Sequence, residues 1–176
     1  MVIHLTKGLW KFAYWLIAWT LVFLPGAVTG DIGSIGGALG VFLRVLGALT
    51  VMGALIIHII AGRTLKRLGH SRGQGGIWPD RLVTVGIYSC MRHPQHLGLA
   101  LIPLGLTALL ASPTALISSG WGILAASLFV LAIEEPECLE KFGTAYHEYM
   151  NRTPAFSLEP SCVVIGLKRL KMINNR

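Results

Sequence analysis

The side chains able to do chemistry in this sequence gather in two places. One is Arg92-His93-Pro94-Gln95-His96-Leu97-Gly98, at the start of an apolar run, and the other is Glu134-Glu135, at the end of the next. A guanidinium and imidazoles on one side and paired carboxylates on the other can bind a charged, polar ligand between them. Two carboxylates at the C-terminal end of an apolar helix oppose its dipole, which favours cations there. Arg92 and His93, or a cationic ligand, are the groups that would compensate them. Taken singly, each of these residues also reads as an ordinary solvated charge at a helix end; the combination is what points to a site.

A metal centre is a second chemistry to weigh, since His93-x-x-His96 with Glu134 and Glu135 offers nitrogen and oxygen ligands. Membrane di-iron oxygenases use more histidines than the six present here, and His4, His58, His70 and His147 are dispersed. No metal is therefore expected. Cys90, Cys138 and Cys162 are odd in number and show no C-x-x-C spacing, which argues against a disulfide framework or a zinc site and for reduced thiols facing the cytosol.

The elements that must position these residues are set by composition. The 176 residues are 53% hydrophobic and 13% charged, with a mean hydropathy of +0.64, whereas soluble domains carry about 25% charged residues. The expectation is an all-α integral membrane protein forming a single domain over residues 1–176, with no room for a separate soluble catalytic domain. The net charge of +7 lies beside apolar runs and in the C-terminal tail. Topology and anionic lipid headgroups account for that, and nucleic acid is not an expected partner.

Four transmembrane helices are predicted, at about 10–28, 35–61, 94–110 and 116–133. The first follows Lys7 and Lys11 and carries Trp10, Tyr14, Trp15 and Trp19; a signal peptide is the rival reading, and its length and aromatic content favour a retained anchor. The second bears small residues at Gly40, Gly47 and Ala54, which let helices approach closely. Arg44 falls within it. Either it faces an interior or a watery cavity, or the helix starts nearer to it and it sits at the interface. His58 reads as a packing or interfacial histidine.

Residues 62–92 read as a basic, glycine-rich loop holding Arg63, Lys66, Arg67, His70, Arg72 and Arg81, punctuated by Gly69, Gly73, Gly75, Gly76 and Pro79. Within it, Arg81 to Tyr88 is semi-apolar and suits the membrane surface or the lid of a pocket. Pro94 suits the first position of the third helix. The short, charge-free turn after it makes the last two helices an antiparallel hairpin, so that Arg92, His93 and His96 emerge on the same side as Glu134 and Glu135. The basic loop and termini, against uncharged turns, place both termini in the cytoplasm. After residue 133, Pro136 restarts a helix with Leu139, Phe142, Tyr146 and Tyr149/Met150 at helical spacing, and residues 162–172 suggest a short basic amphipathic helix on the membrane. Residues 134–176 are expected to be cytosolic.

An ordered set of motifs now stands out: Gly86-Ile87-Tyr88-x-x-x-Arg92-His93-Pro94-x-x-x-Gly98, then Glu134-Glu135, then Phe142-Gly143-x-x-Tyr146-x-x-Tyr149 and Thr153-Pro154. Over roughly residues 80 to 160 it resembles the isoprenylcysteine carboxyl methyltransferase and phospholipid methyltransferase superfamily. That resemblance implies an integral membrane enzyme using S-adenosylmethionine, without a Rossmann domain, on a lipophilic or lipid-modified acceptor among membrane lipids. By resemblance, Arg92, Glu134 and Glu135 are the expected catalytic residues. Tyr88, Arg92, His93, Pro94, Gly98, Glu134, Glu135, Tyr146 and Tyr149 would hold the cofactor, and His96 and Arg44 would meet the substrate.

The chain departs from the family pattern in four ways. His96 stands where the family has Tyr, Cys138 where it has Leu, Pro136 interrupts the acidic motif, and Val130-Leu131-Ala132-Ile133 lacks the Arg found there in the carboxyl methyltransferases. The missing Arg counts against a prenylcysteine carboxylate as acceptor and leaves an amine, a thiol or another lipid acid. Readings from other classes are a non-catalytic transporter or assembly protein using an intramembrane charge pair, and a membrane reductase, whose relatives are much longer.

Overall fold

A computed structural model describes residues 2–71 and 79–175, with side chains from Leu9 onward except that of Asn174. Arg72, Gly73, Gly75 and Gly76 of the glycine-rich segment lie outside the described residues, as do Arg176 and the side chains of His4 and Lys7. Every regular element among the described residues is helical. The helices are α1 (Val2–Thr29), α2 (Gly37–Leu68), α3 (Pro94–Leu110), α4 (Pro113–Phe129), α5 (Glu135–Phe142), α6 (Thr144–Arg152) and α7 (Ser161–Asn174). A 3₁₀ turn occupies Gly86–Ser89, and a π-helical turn, Val130–Glu134, joins α4 to α5.

Among the described residues, three stretches are long and apolar enough to cross a membrane: Leu9–Thr29, Gly37–Leu68 and Pro113–Phe142. The 17 residues of α3 are apolar too, but at 1.5 Å each they reach only about 26 Å against a hydrocarbon core of about 30 Å. Two helices run further than hydropathy suggests. α2 continues past residue 61 through Arg63, Lys66 and Arg67, because polar residues extend a helix as well as apolar ones do. It stops at Gly69, whose carbonyl accepts the Asp80 and Arg81 amides at 2.8 and 3.0 Å. The fourth apolar helix does not end at 133 and restart at Pro136; it is continuous to Phe142. The ring of Pro136 would crowd the Ala132 carbonyl in a regular helix, and the wider π turn falls just where that strain arises.

The chain divides into two compact units, residues 1–52 with 100–127, and residues 53–99 with 128–176. In the first, α2 and α3 touch backbone to backbone: a Cβ on Gly47 would lie 2.6 Å from the Gly105 carbonyl oxygen, and one on Gly105 would lie 2.9 Å from that of Gly47. This is the close approach the small residues of α2 foretold. Asp31 holds the start of α4, accepting the Thr114 amide at 2.9 Å and the Ser112 hydroxyl. Those bonds keep its carboxyl below the ordinary carboxylate value, the Ser112 hydroxyl contributing most.

In the second unit the end of α2, the start of α3, the π turn, α5, α6 and α7 surround the 3₁₀ turn and the segment that follows it. The expected C-terminal helix is in fact two. Gly143, at φ 56° and ψ −133°, turns the chain between α5 and α6 in a conformation open to glycine alone. Burial, with Cys162 nearby, pushes the Cys90 thiol up to about 12, so it stays protonated.

Candidate active site

The site is built on Arg92. Its backbone amide donates to the Pro154 carbonyl at 2.9 Å and that of His93 to the Ala155 carbonyl at 3.1 Å, so the segment after α6 straps over the turn that precedes α3. The guanidinium is spent within the protein. Nε donates to Glu135 Oε1 at 2.9 Å, Nη2 reaches the same oxygen, and Nη1 donates to the carbonyls of Met150, at 3.1 Å, and Thr153. The Arg92 and Glu135 side chains are 9% and 8% exposed. At that burial an unpaired charge is costly, so the two ions and the two carbonyls form one mutually dependent unit.

His93 completes it. Its Nε2 lies 3.4 Å from Glu135 Oε1 and 3.2 Å from the Tyr146 hydroxyl. One nitrogen cannot serve both in the same way: protonated it donates to Glu135, and unprotonated it accepts from Tyr146. The Tyr149 hydroxyl donates to the Tyr88 carbonyl, and the Tyr88 hydroxyl to the Ala61 carbonyl at 3.5 Å. Burial raises all three tyrosines well above their ordinary value, so each remains a neutral donor.

Beside this unit lies a cavity of about 130 Å³, several times the roughly 10–15 Å³ that one water requires. Tyr88, Arg92, His93, Pro94, His96, Glu134, Tyr146 and Tyr149 all line it, joined by Arg81, Gln95, Cys138 and Phe142. Adjacent helix positions diverge by about 100°, and the two acidic residues part accordingly. Glu135 turns inward to Arg92, while Glu134 borders the cavity. The sequence could not separate them. Arg92 and His93 compensate Glu135, and neither acid marks a helix end, since the helix runs on through the π turn.

Pro94 is fully buried at the first position of α3. Gly98 does not border the cavity; a Cβ there would lie 2.9 Å from both the Ala54 carbonyl oxygen and His58 Cβ, so it sets how closely α3 approaches α2. His58 is the packing histidine expected, its Nδ1 3.2 Å from the Gln95 carbonyl. The centroid of the His96 ring lies 5.5 Å from that of Phe129, tilted at 36°, and 5.9 Å from that of His93, which meets it edge-on. Arg44 belongs to the first unit and is not among the lining residues; its Nη1 turns back to within 2.9 Å of where a Cβ on Gly40 would stand.

Sequence reasoning missed the Met150 and Thr153 carbonyls that hold Arg92, and Phe129 beneath His96. Backbone acceptors carry no residue signature, and one Phe in an apolar helix carries none either. Among the described residues no three His, Cys, Asp or Glu side chains come together to hold a metal ion.

Residues 42–145 match the phospholipid methyltransferase family. The chain belongs to that family. The match takes in Arg92, His93, Pro94, Gly98, Glu134 and Glu135 and ends one residue before Tyr146. Family members are methyltransferases, and with three helices able to cross a bilayer this one is a multi-pass membrane protein. No curated protein and no solved structure matches the chain.

Proposed function

We propose that this family member transfers a methyl group from S-adenosylmethionine to a lipophilic acceptor in the membrane, and that the cavity beside Arg92 holds the cofactor. The observation that carries the reading is the division of labour between adjacent carboxylates. Glu135 is consumed by Arg92 and His93, and Glu134 borders the cavity.

The donor set fits the cofactor. Glu134 suits its ammonium, Arg81 at the exposed rim suits its carboxylate, and Gln95 suits ribose hydroxyls. Phe142, Tyr146 and Tyr149 suit the adenine and the sulfonium, a cation favoured by aromatic walls. When bound, the cofactor supplies an electrophilic methyl group. The chain's own work is to bind, align and exclude water, which is sufficient for an in-line displacement by a good nucleophile. Arg92 acts by holding Glu135, α6 and the strap in place, and His96 against Phe129 stands where an acceptor would be oriented.

The same reading takes α3 as a fourth crossing, tilted or flanked by polar residues, with both termini and residues 134–176 on the cytosolic side. The basic residues at the end of α2 and in α7 support it. A prenylcysteine carboxylate is disfavoured as acceptor, because Arg92 is already committed and Val130-Leu131-Ala132-Ile133, just before Glu134, holds no Arg. Calorimetry of the detergent-solubilised full chain against S-adenosylhomocysteine tests the reading: binding in the micromolar range is expected, and a folded sample that gives no binding overturns it.

A further inference from the structure

α7 is anchored on one face and unused on the other. Cys162, Gly166 and Leu170, spaced four apart, are buried. A Cβ on Gly166 would stand 2.7 Å from Ile60 Cγ2 and 3.2 Å from Ile87 Cβ, so α7 is seated on α2 and on the 3₁₀ turn with no space to spare. That contact fixes its depth. Ile60 is in the last apolar turn of a helix able to cross a membrane, just before Arg63, Lys66 and Arg67, where the hydrocarbon must give way to headgroups. The remaining surface of α7 leaves Val164, Ile165, Leu167 and Met172 between 41% and 54% exposed. Lys168 and Lys171 are exposed beside them, and no acidic residue lies between Ser161 and Asn174.

Arg169 points to what covers this surface. Its stem packs against the 3₁₀ turn, where a Cβ on Gly86 would lie 3.2 Å from its Cβ and Cγ, and its Nε is buried without a hydrogen-bond partner. Arg169 as a whole is half-buried, and at headgroup depth a lipid phosphate oxygen is the acceptor at hand for the exposed part of its cation. Exposed apolar side chains interspersed with cations on one helix, with no acidic residue among them, are complementary to an anionic leaflet. The geometry points to α7 as a docking surface for anionic phospholipids, with the apolar side chains entering the bilayer and Lys168, Arg169 and Lys171 taking the headgroup phosphates.

The test uses the full chain in nanodiscs of phosphatidylcholine with rising fractions of phosphatidylglycerol, following amide exchange over residues 161–174 by mass spectrometry. Exchange is expected to slow as phosphatidylglycerol rises and to recover in high salt, where the attraction is screened. The double variant K168Q/K171Q changes only exposed side chains, and exchange in the other helices verifies its fold. It should require on the order of tenfold more phosphatidylglycerol for the same protection. Exchange that ignores phosphatidylglycerol, or a variant that responds as the parent does, overturns the proposal.

Discussion

Arg92 and Glu135, 43 positions apart, share one carboxylate oxygen between two guanidinium nitrogens, and both side chains are more than nine-tenths buried. Removing either partner strands the other, which costs about 3–5 kcal/mol in buried pairs. Arg92→Met and Glu135→Leu should each lower resistance to unfolding by that order, and the double variant by less than their sum. Thermal unfolding of the four proteins in one detergent measures it, and simple additivity would show that the pair is not coupled.

Glu134 should behave differently from its neighbour. Glu134→Gln keeps the shape of the side chain and leaves the Arg92 unit intact, so the fold should persist while affinity for S-adenosylhomocysteine falls. A hydrogen bond to a charged group is worth about 1.5–3 kcal/mol, or roughly tenfold to a hundredfold in the dissociation constant. Arg44→Ala should leave that affinity unchanged. Calorimetry with equal losses in both variants would remove the distinction between them.

Tyr146 and Tyr149 hold neutral hydroxyls against a buried environment, and burial raises both above the ordinary value of 10.0. An acid with a raised folded value lends stability that is complete below its unfolded value and fades above it. Stability is therefore expected to decline as the pH climbs past 10.0, and less steeply in Tyr146→Phe. Equilibrium unfolding at several alkaline pH values checks the slope.

Asp31 acts at the other end of the pH scale. Its carboxyl titrates below the ordinary 3.8 because of Ser112 first and the Thr114 amide after it. A lowered folded value gives stability that is full above 3.8 and is lost as the pH drops from there through the folded value. Asp31→Asn should remove this acid sensitivity, and parallel acid-unfolding curves for parent and variant would exclude Asp31 as its source.

Gly143 separates α5 from α6 at φ 56° and ψ −133°. A Cβ there would meet nothing within 4 Å, so Gly143→Ala carries backbone strain alone, about 1–3 kcal/mol. Relief by moving α6 would carry Tyr146 and Tyr149 away from the cavity. Cofactor affinity is expected to fall more than thermal stability does, and the reverse order in calorimetry and melting would show that α6 is not held by this turn.

The sequence by itself determined the membrane class, the apolar helices, the pairing of the Arg92 region with the Glu134 region, and the family. Hydropathy, loop charge and side-chain type carry that information locally, and a short turn leaves a helical hairpin little choice. Only the tertiary structure decided that Glu135 rather than Glu134 binds Arg92, because Pro136 marks a break in the helix without saying which way the chain's phase turns there. Gly143 split what spacing suggested was one helix, since periodicity cannot register a left-handed backbone between two aligned stripes. The strap over Arg92 is written in main-chain carbonyls, which every sequence contains, so its partners became visible only once the chain had folded against itself.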